Sequence, residues 1–209
     1  MNNMYQTGTS IFLDIETLPA EKEKHEMLKE IHRKRVDDGK KVKTVEEFIE
    51  ETNLGGAFGR IACISYAIND GEVKSLSGDE KEMLKAFWEL AKDADLFIGF
   101  NIIGFDLRFI YQRSIVRGVK PTKDLSFARY KNYPIYDLMC EWNKWDMQSH
   151  INLDSLAKAL GIPSSKGGEI EGKNVARAYE EGRIAEICKY CESDVEATRK
   201  IYYKMTFQG

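Results

Sequence analysis

Proline and histidine are scarce, at four and three of 209 residues. Four cysteines in a chain this long are too few for a disulfide framework, so a reducing, cytoplasmic setting is expected. Long apolar runs are missing. The longest, residues 96–105, contains Asn101 and is too short to span a bilayer, so no membrane contact is expected. Residues 1–10 are polar and lack the charged-then-apolar pattern of a secretory signal. An excess of positive charge is absent too. With 31 Lys+Arg against 34 Asp+Glu the net charge is −3, which excludes a protein that grips nucleic acid by bulk charge, though not one with a local basic patch. What remains is an ordinary globular balance, 43% hydrophobic and 31% charged, in a one-domain length.

Residues 9–13 form a short apolar run ending abruptly at Asp14, the pattern of a buried strand with a polar edge. Pro19 opens a charged segment at 21–38, in which Met27, Leu28, Ile31 and Val36 give a thin apolar stripe; a second short helix is expected at 44–51. Residues of about 20–55 read as a helical insertion within a single domain, 1–209, because they hold too little apolar surface for their own core. A strand at 60–68 turns at Asn69-Asp70-Gly71 into a second at 73–76. Ser77 and Glu80 have capping-box spacing for a helix at 79–92. A buried strand follows at 96–100, and then a helix at 104–117 with Phe105, Phe109, Ile110 and Val116 as apolar contacts. A short strand ends at Asp137, a helix at 153–160 is stopped by Gly161 and Pro163, a Gly/Ser loop covers 164–172, and a last helix runs over 183–205. A hairpin followed by strands alternating with helices predicts an α/β fold with a mixed sheet.

Three segments set acidic residues among apolar ones, which is unusual unless the charge has a partner. They are Phe12-Leu13-Asp14-Ile15-Glu16-Thr17, Asn101-Ile102-Ile103-Gly104-Phe105-Asp106 and Tyr190-Cys191-Glu192-Ser193-Asp194. Asp14 and Glu16 are two apart, so an extended chain points both to one face. Tyr190 and Asp194, at i and i+4 of a helix, are neighbours at the edge of its buried stripe of Ile184, Ile187, Cys188, Cys191, Val195, Thr198 and Tyr202. Four converging carboxylates repel unless cations neutralise them. Two Mg²⁺ or Mn²⁺ would balance the charge and form the arrangement used for in-line phosphoryl transfer.

Singly the motifs are weak. Asp-x-Glu recurs at Asp70 and Glu72, and Tyr-x-x-x-Asp recurs at Tyr66/Asp70 and Tyr133/Asp137. Their order, apolar flanks and strand or helix contexts carry the signal together. The three segments resemble the exonuclease motifs of the DEDD superfamily of 3′→5′ exonucleases. In its histidine subclass a His stands five residues before the last Asp, where this chain has Lys189; the tyrosine subclass has Tyr four before it, here Tyr190. His25, His32 and His150 then read as surface spectators. Asn152-Leu153-Asp154-Ser155-Leu156-Ala157, Leu160-Gly161-Ile162-Pro163 and Lys166 are similar to the segment before the third motif in stand-alone exonucleases of the family-B-polymerase type. Ser164-Ser165 departs from the single Gly common there.

The resemblance implies a ribonuclease-H-like fold, an α/β sheet of five strands in the order 3-2-1-4-5 with strand 2 antiparallel. It implies that Asp14, Glu16, Asp106 and Asp194 hold two metal ions and that Tyr190 orients the attacking water. Thr17 and Leu18 would line the terminal nucleotide site, and Asn101 and Phe105 would position the strand. The implied substrate is a single-stranded 3′ end, with DNA favoured, cut to nucleoside 5′-monophosphates. A replication or repair partner and a proofreading role fit the same reading. The alternatives are an oligoribonuclease-like RNA exonuclease and a nucleic-acid-binding module with a lapsed site.

Two basic clusters offer paths for the polymer. The first has Arg108, Arg113, Arg117, Lys120, Lys123, Arg129 and Lys131 against Asp124, interleaved with Phe127, Tyr130 and Tyr133, a composition suited to single strands. From it Arg108, Arg113, Lys120 and Lys123 are expected to touch substrate. The second, residues 33–43, sets six basic residues against Asp37 and Asp38. Cys188 and Cys191 form a C-x-x-C, but both lie on the buried stripe and read as core rather than zinc ligands. Asp137 reads as the N-cap of the segment after it.

Overall fold

A computed structural model describes residues 8–146, 148, 151–163 and 169–208. His150, Ser164, Ser165 and Lys166 lie outside the described residues. The chain forms β1 (Ser10–Leu18), α1 (His25–Asp37), α2 (Val45–Glu50), β2 (Arg60–Ile68), β3 (Lys74–Ser77), α3 (Glu80–Ala91), β4 (Leu96–Gly99), α4 (Asp106–Arg117), β5 (Ile135–Asp137), α5 (Leu138–Trp142), α6 (Leu153–Ala159), α7 (Val175–Glu180) and α8 (Ile184–Met205). The sheet order is β3-β2-β1-β4-β5. β2 is antiparallel to β1 and β3, whereas β4 and β5 run parallel to β1. This is the expected α/β architecture.

β1 is the central strand and both of its faces are covered, which explains its nearly unbroken apolar sequence. Ile11, Leu13 and Ile15 face α3 and α4, packing with Phe87, Trp88, Leu107 and Ile110. Phe12 and Leu18 face the opposite layer, with Val195 and Ile201 of α8 around Phe12 and Cys191 near Leu18. Side chains alternate along a strand, so Asp14 and Glu16 fall on this second face, beneath α8. The register with β2 slips between Glu16 and Thr17, and such irregularities re-aim side chains at the ends of a ladder.

Several local expectations need correction. α3 is capped by Asp79, whose side chain accepts from Glu82 N–H at 3.0 Å, and not by a Ser77/Glu80 box. Glu80 turns into the core instead. α4 begins at Asp106, two residues later than expected, because the preceding residues form the loop that Asp137 organises. Met27, Val36 and Val116 are exposed. A lone apolar residue on a surface helix is common, since exposed surface is itself largely apolar.

Candidate active site

Asp14, Glu16 and Asp194 each offer a carboxylate oxygen within 4.8 Å of the others. β1 supplies the first two, and α8, crossing beneath them, supplies the third. The buried stripe of α8 sets its rotation, with Ile187, Cys191, Val195, Thr198 and Tyr202 facing inward. Asp194 is buried at the stripe's edge, as the helical spacing predicts.

Asp106 enters from the other side as the first residue of α4. It is 3% exposed, and its Oδ1 accepts the Ile15 N–H at 3.0 Å, so it is tied to the backbone between Asp14 and Glu16. The loop that delivers it is pinned by Asp137. The Asp137 carboxylate accepts from Asn101 and Ile103 N–H, both at 3.1 Å, and also caps α5 by accepting from Met139 and Cys140 N–H at 3.0 and 3.2 Å. The expected cap is present. The tether to the loop was not foreseen. Asn101 has φ 57°, and its side chain curls over Gly104 into the space a Cβ there would need.

Burial and like charge together push these acids toward their neutral forms. Asp14 lies well above the ordinary carboxylate range, through burial and then through Asp106, Glu16 and Asp194. Glu16 is raised to about 8 by burial, then by Asp194 and Asp106. Asp106 is raised to about 7, chiefly by burial, despite its backbone bonds. No cation of the chain is paired with Asp14, Glu16 or Asp106 in any described salt bridge. The donors are hard oxygens and those of Asp14, Glu16 and Asp194 already converge, with Asp106 outside that trio but beside it through the Ile15 N–H, so the set fits divalent cations such as Mg²⁺ or Mn²⁺.

Tyr190 stands one turn before Asp194 on the same face of α8, with its phenol near the Asp194 carboxylate. Burial, then Asp194, Glu16 and Asp14, push the phenol above its ordinary value. Lys189, at the histidine-subclass position, is exposed. The C-x-x-C packs as expected, with Cys191 fully buried and Cys188 partly so. Its surroundings are richer than the sequence suggests. Cys63 of β2 reaches both thiols, and Cys191 Sγ lies 3.2 Å from Asp14 Oδ2 as a donor. Among the described residues, the group close enough to hold an ion is the acidic trio, with no cysteine in it.

Of the expected strand contacts, Thr17 and Leu18 follow Glu16 directly and are buried. Leu18 opens onto a cleft of about 440 Å³ between the insertion and α7. Phe105 is half-buried and packs against Phe109, with ring centroids 5.6 Å apart. Arg108 is exposed in the first turn of α4, beside Asp106. Arg113 must be corrected. It is 4% exposed and donates from Nε and Nη2 to Glu80 at 2.9 and 2.7 Å, and from Nη1 to Gly56 O at 3.1 Å, so it cannot reach a substrate. Arg117 joins the same carboxylate at 2.5 Å. Lys123 donates its Nζ to the Ala94 carbonyl at the foot of the sheet, and Lys120 lies past the far end of α4, ~18 Å along that helix from Asp106. Phe127 turns inward onto Tyr111, while Tyr130 and Tyr133 stay exposed. The first basic cluster is therefore not one continuous face.

Residues 54–209 match the family of predicted 3′-5′ exonucleases related to the exonuclease domain of PolB, and the chain belongs to that family. A DNA polymerase of Archaeoglobus fulgidus is 24% identical over 152 residues, covering 64% of this chain and 18% of the polymerase. The family B DNA polymerase of the hyperthermophilic archaeon Pyrobaculum calidifontis superposes with a TM-score of 0.66 at 16% identity, over 96% of this chain and 24% of its own. That likeness shows the ribonuclease-H-like fold of a polymerase exonuclease. The chain spans about a quarter or less of either polymerase. Asp14, Glu16 and nearly all of the insertion precede the matched residues, so the first acidic pair rests on geometry here.

Proposed function

We propose that this chain is a metal-dependent 3′→5′ exonuclease of the tyrosine type, releasing nucleoside 5′-monophosphates from single-stranded DNA. The observation that carries the reading is the convergence of Asp14, Glu16 and Asp194 within 4.8 Å, with Asp106 tied to the backbone between the first two. When bound, two Mg²⁺ or Mn²⁺ ions would acidify the attacking water and stabilise the departing 3′ oxygen. Asp14, Glu16, Asp106 and Asp194 would hold them.

The protein's own part is positioning. Tyr190, held protonated by burial and negative neighbours, is no base at neutral pH. A protonated phenol beside the acidic centre can hydrogen-bond the attacking water and align its oxygen with phosphorus without taking its proton. The water adds to phosphorus, the P–O3′ bond breaks, and the shortened strand keeps a 3′ hydroxyl. Thr17 and Leu18 would seat the terminal nucleotide, while Asn101, Phe105 and Arg108 flank the strand. Family membership and the relation to DNA polymerases support DNA as substrate.

Single strands labelled at the 3′ or the 5′ end, incubated with Mg²⁺ or with EDTA, test this. The 3′ label should leave first as a mononucleotide, only with metal, and Asp14→Asn should stop it. Release from the 5′ end, or undiminished turnover by Asp14→Asn, would refute the assignment, and ribonucleotide strands in parallel decide the sugar.

A further inference from the structure

We infer that the distal half of the insertion, residues 33–43, is a polynucleotide-binding arm that holds phosphates of the strand away from the acidic centre and makes hydrolysis depend on strand length. The inference rests on the nuclease reading above and adds a strand path to it.

The cleft past Glu16 starts the path. It is lined by Leu18, His25, Ile49, Asn53, Arg60 and Tyr179, with the Arg60 guanidinium 5.8 Å from the Tyr179 ring centre. His25 is also the first residue of α1, so the helix leads away from the cleft wall. Only its near end is anchored. Leu28 is buried with Ala20 and Ile49, and Ile31, Val45 and Phe48 pack around them. Residues 33–41 are all exposed.

This arm has local order of its own. Thr44 and Glu47 form a complete capping box at the start of α2. His32 Nε2 lies 2.8 Å from the Lys43 carbonyl, and Arg35 lies 4.9 Å from the Phe48 ring centre. Its charge is opposite to that of the molecule. Six cations against two acids give it +4, so the rest of the chain, 25 basic against 32 acidic residues, carries −7. Lys40 and Lys43 pair with Asp38 and Glu51. Among the described residues, the side chains of Arg33, Lys34 and Lys41 have no hydrogen bond or ion pair.

An exposed, extended cationic surface on the helix that leaves this cleft matches a phosphate polymer better than a compact partner. The rival cluster is broken up, because Arg113, Arg117 and Lys123 are bound within the fold and leave its other cations scattered. Arg33 stands eight residues beyond His25, ~12 Å along α1 and about four stacked nucleotides at 3.4 Å each from the cleft wall. Strands no longer than this would end before the arm, and longer ones would reach it.

The test compares the full chain with the triple variant Arg33→Ala, Lys34→Ala, Lys41→Ala on oligothymidylates of about four and roughly 15 nucleotides. Fluorescence anisotropy in EDTA should show the longer strand bound about 10-fold more weakly by the variant, with a salt slope reduced by about 2. In Mg²⁺, the ratio of kcat/KM between long and short strands should fall about 10-fold. The corresponding triple change to Glu should widen both effects, and thermal melts check that both variants fold. An unchanged slope and ratio would overturn the proposal, including the case in which the arm instead captures an acidic protein. If the parent chain hydrolyses neither strand, the nuclease reading fails, and the anisotropy still decides whether the arm binds.

Discussion

Replacing Glu16 by Gln should stabilise the metal-free protein at alkaline pH. The Glu16 carboxyl is held at about 8 against an ordinary 4.5, first by burial and then by Asp194 and Asp106. Its neutral form is thus favoured in the fold, so the stabilisation it gives is complete below pH 4.5 and is lost as pH rises through 8. Between pH 5 and pH 8 the linkage costs the chelated protein about 3–4 kcal/mol from this group alone. Asp106, held at about 7 against 3.8, adds a loss in the lower part of the same window. In a chain of this size each kcal/mol moves Tm by about 2–4 °C, so the fall attributable to Glu16 is roughly 6–16 °C.

The amide cannot ionise. Glu16→Gln should therefore match the parent near pH 5 and melt several degrees higher at pH 8 in EDTA, as read by calorimetry across pH 5–9. Mn²⁺ should reverse the parent's loss, by about 2.7 kcal/mol at 100-fold excess over Kd for one site. The gain should be larger at pH 8 than at pH 5, because bound protons must leave before a cation enters. A parent Tm that ignores both pH and Mn²⁺, or a variant less stable than the parent at pH 8, would refute the reasoning.

Arg113→Ala should cost about 3–5 kcal/mol in urea unfolding, because it leaves Glu80 buried without its main partner; a loss under 1 kcal/mol would mean the pair is not sealed from water. Asp137→Ser keeps a cap for α5 but drops the bonds to Asn101 and Ile103, so kcat should fall about 10-fold with a small change in Tm, while Asp137→Ala should lose about 1 kcal/mol more. Equal melting of the two variants would deny the cap. Tyr190→Phe keeps the ring and removes the hydroxyl, so single-turnover rates should drop about 10²-fold or more with KM and Tm nearly unchanged; a near-native rate would make the tyrosine structural.

The sheet and the acidic edges were legible because they rest on short-range regularities. The alternation in β1 and the helical stripe of α8 both follow from backbone period, and they put Asp14, Glu16, Tyr190 and Asp194 where the structure has them. The pairing of Glu80 with Arg113 spans 33 residues and leaves no periodic trace. A signal existed all the same. Glu80 shares its helical phase with Met83, Leu84 and Phe87, and Arg113 shares its own with Phe109 and Ile110, so an acid and a base both stood at buried positions of neighbouring helices. Counting Arg113 as a surface cation ignored that phase. The meeting of Cys63 with Cys188 and Cys191 depends on β2 lying under α8, which no local pattern encodes. The double duty of Asp137 was half visible, since its position predicts the cap and nothing local predicts the loop.

Where the acids are attached bears on why they would bind cations at all. Repelling carboxylates on loops would swing apart and stay hydrated. Here two sit on the central strand of the sheet, one on a 22-residue helix packed across it, and one is held by a backbone N–H of that strand. Asp14 is further held by the Cys191 thiol, and the loop behind Asp106 by Asp137. None of these elements can yield without exposing core such as Phe12, Leu107 or Val195. The repulsion can then be relieved only by taking up protons or cations. The raised values of Glu16 and Asp106 are the first response, and competition between the two would tie cation binding to pH. Loosening an anchor such as Asp137 should thus lower cation affinity even though it removes no acid from the converging set.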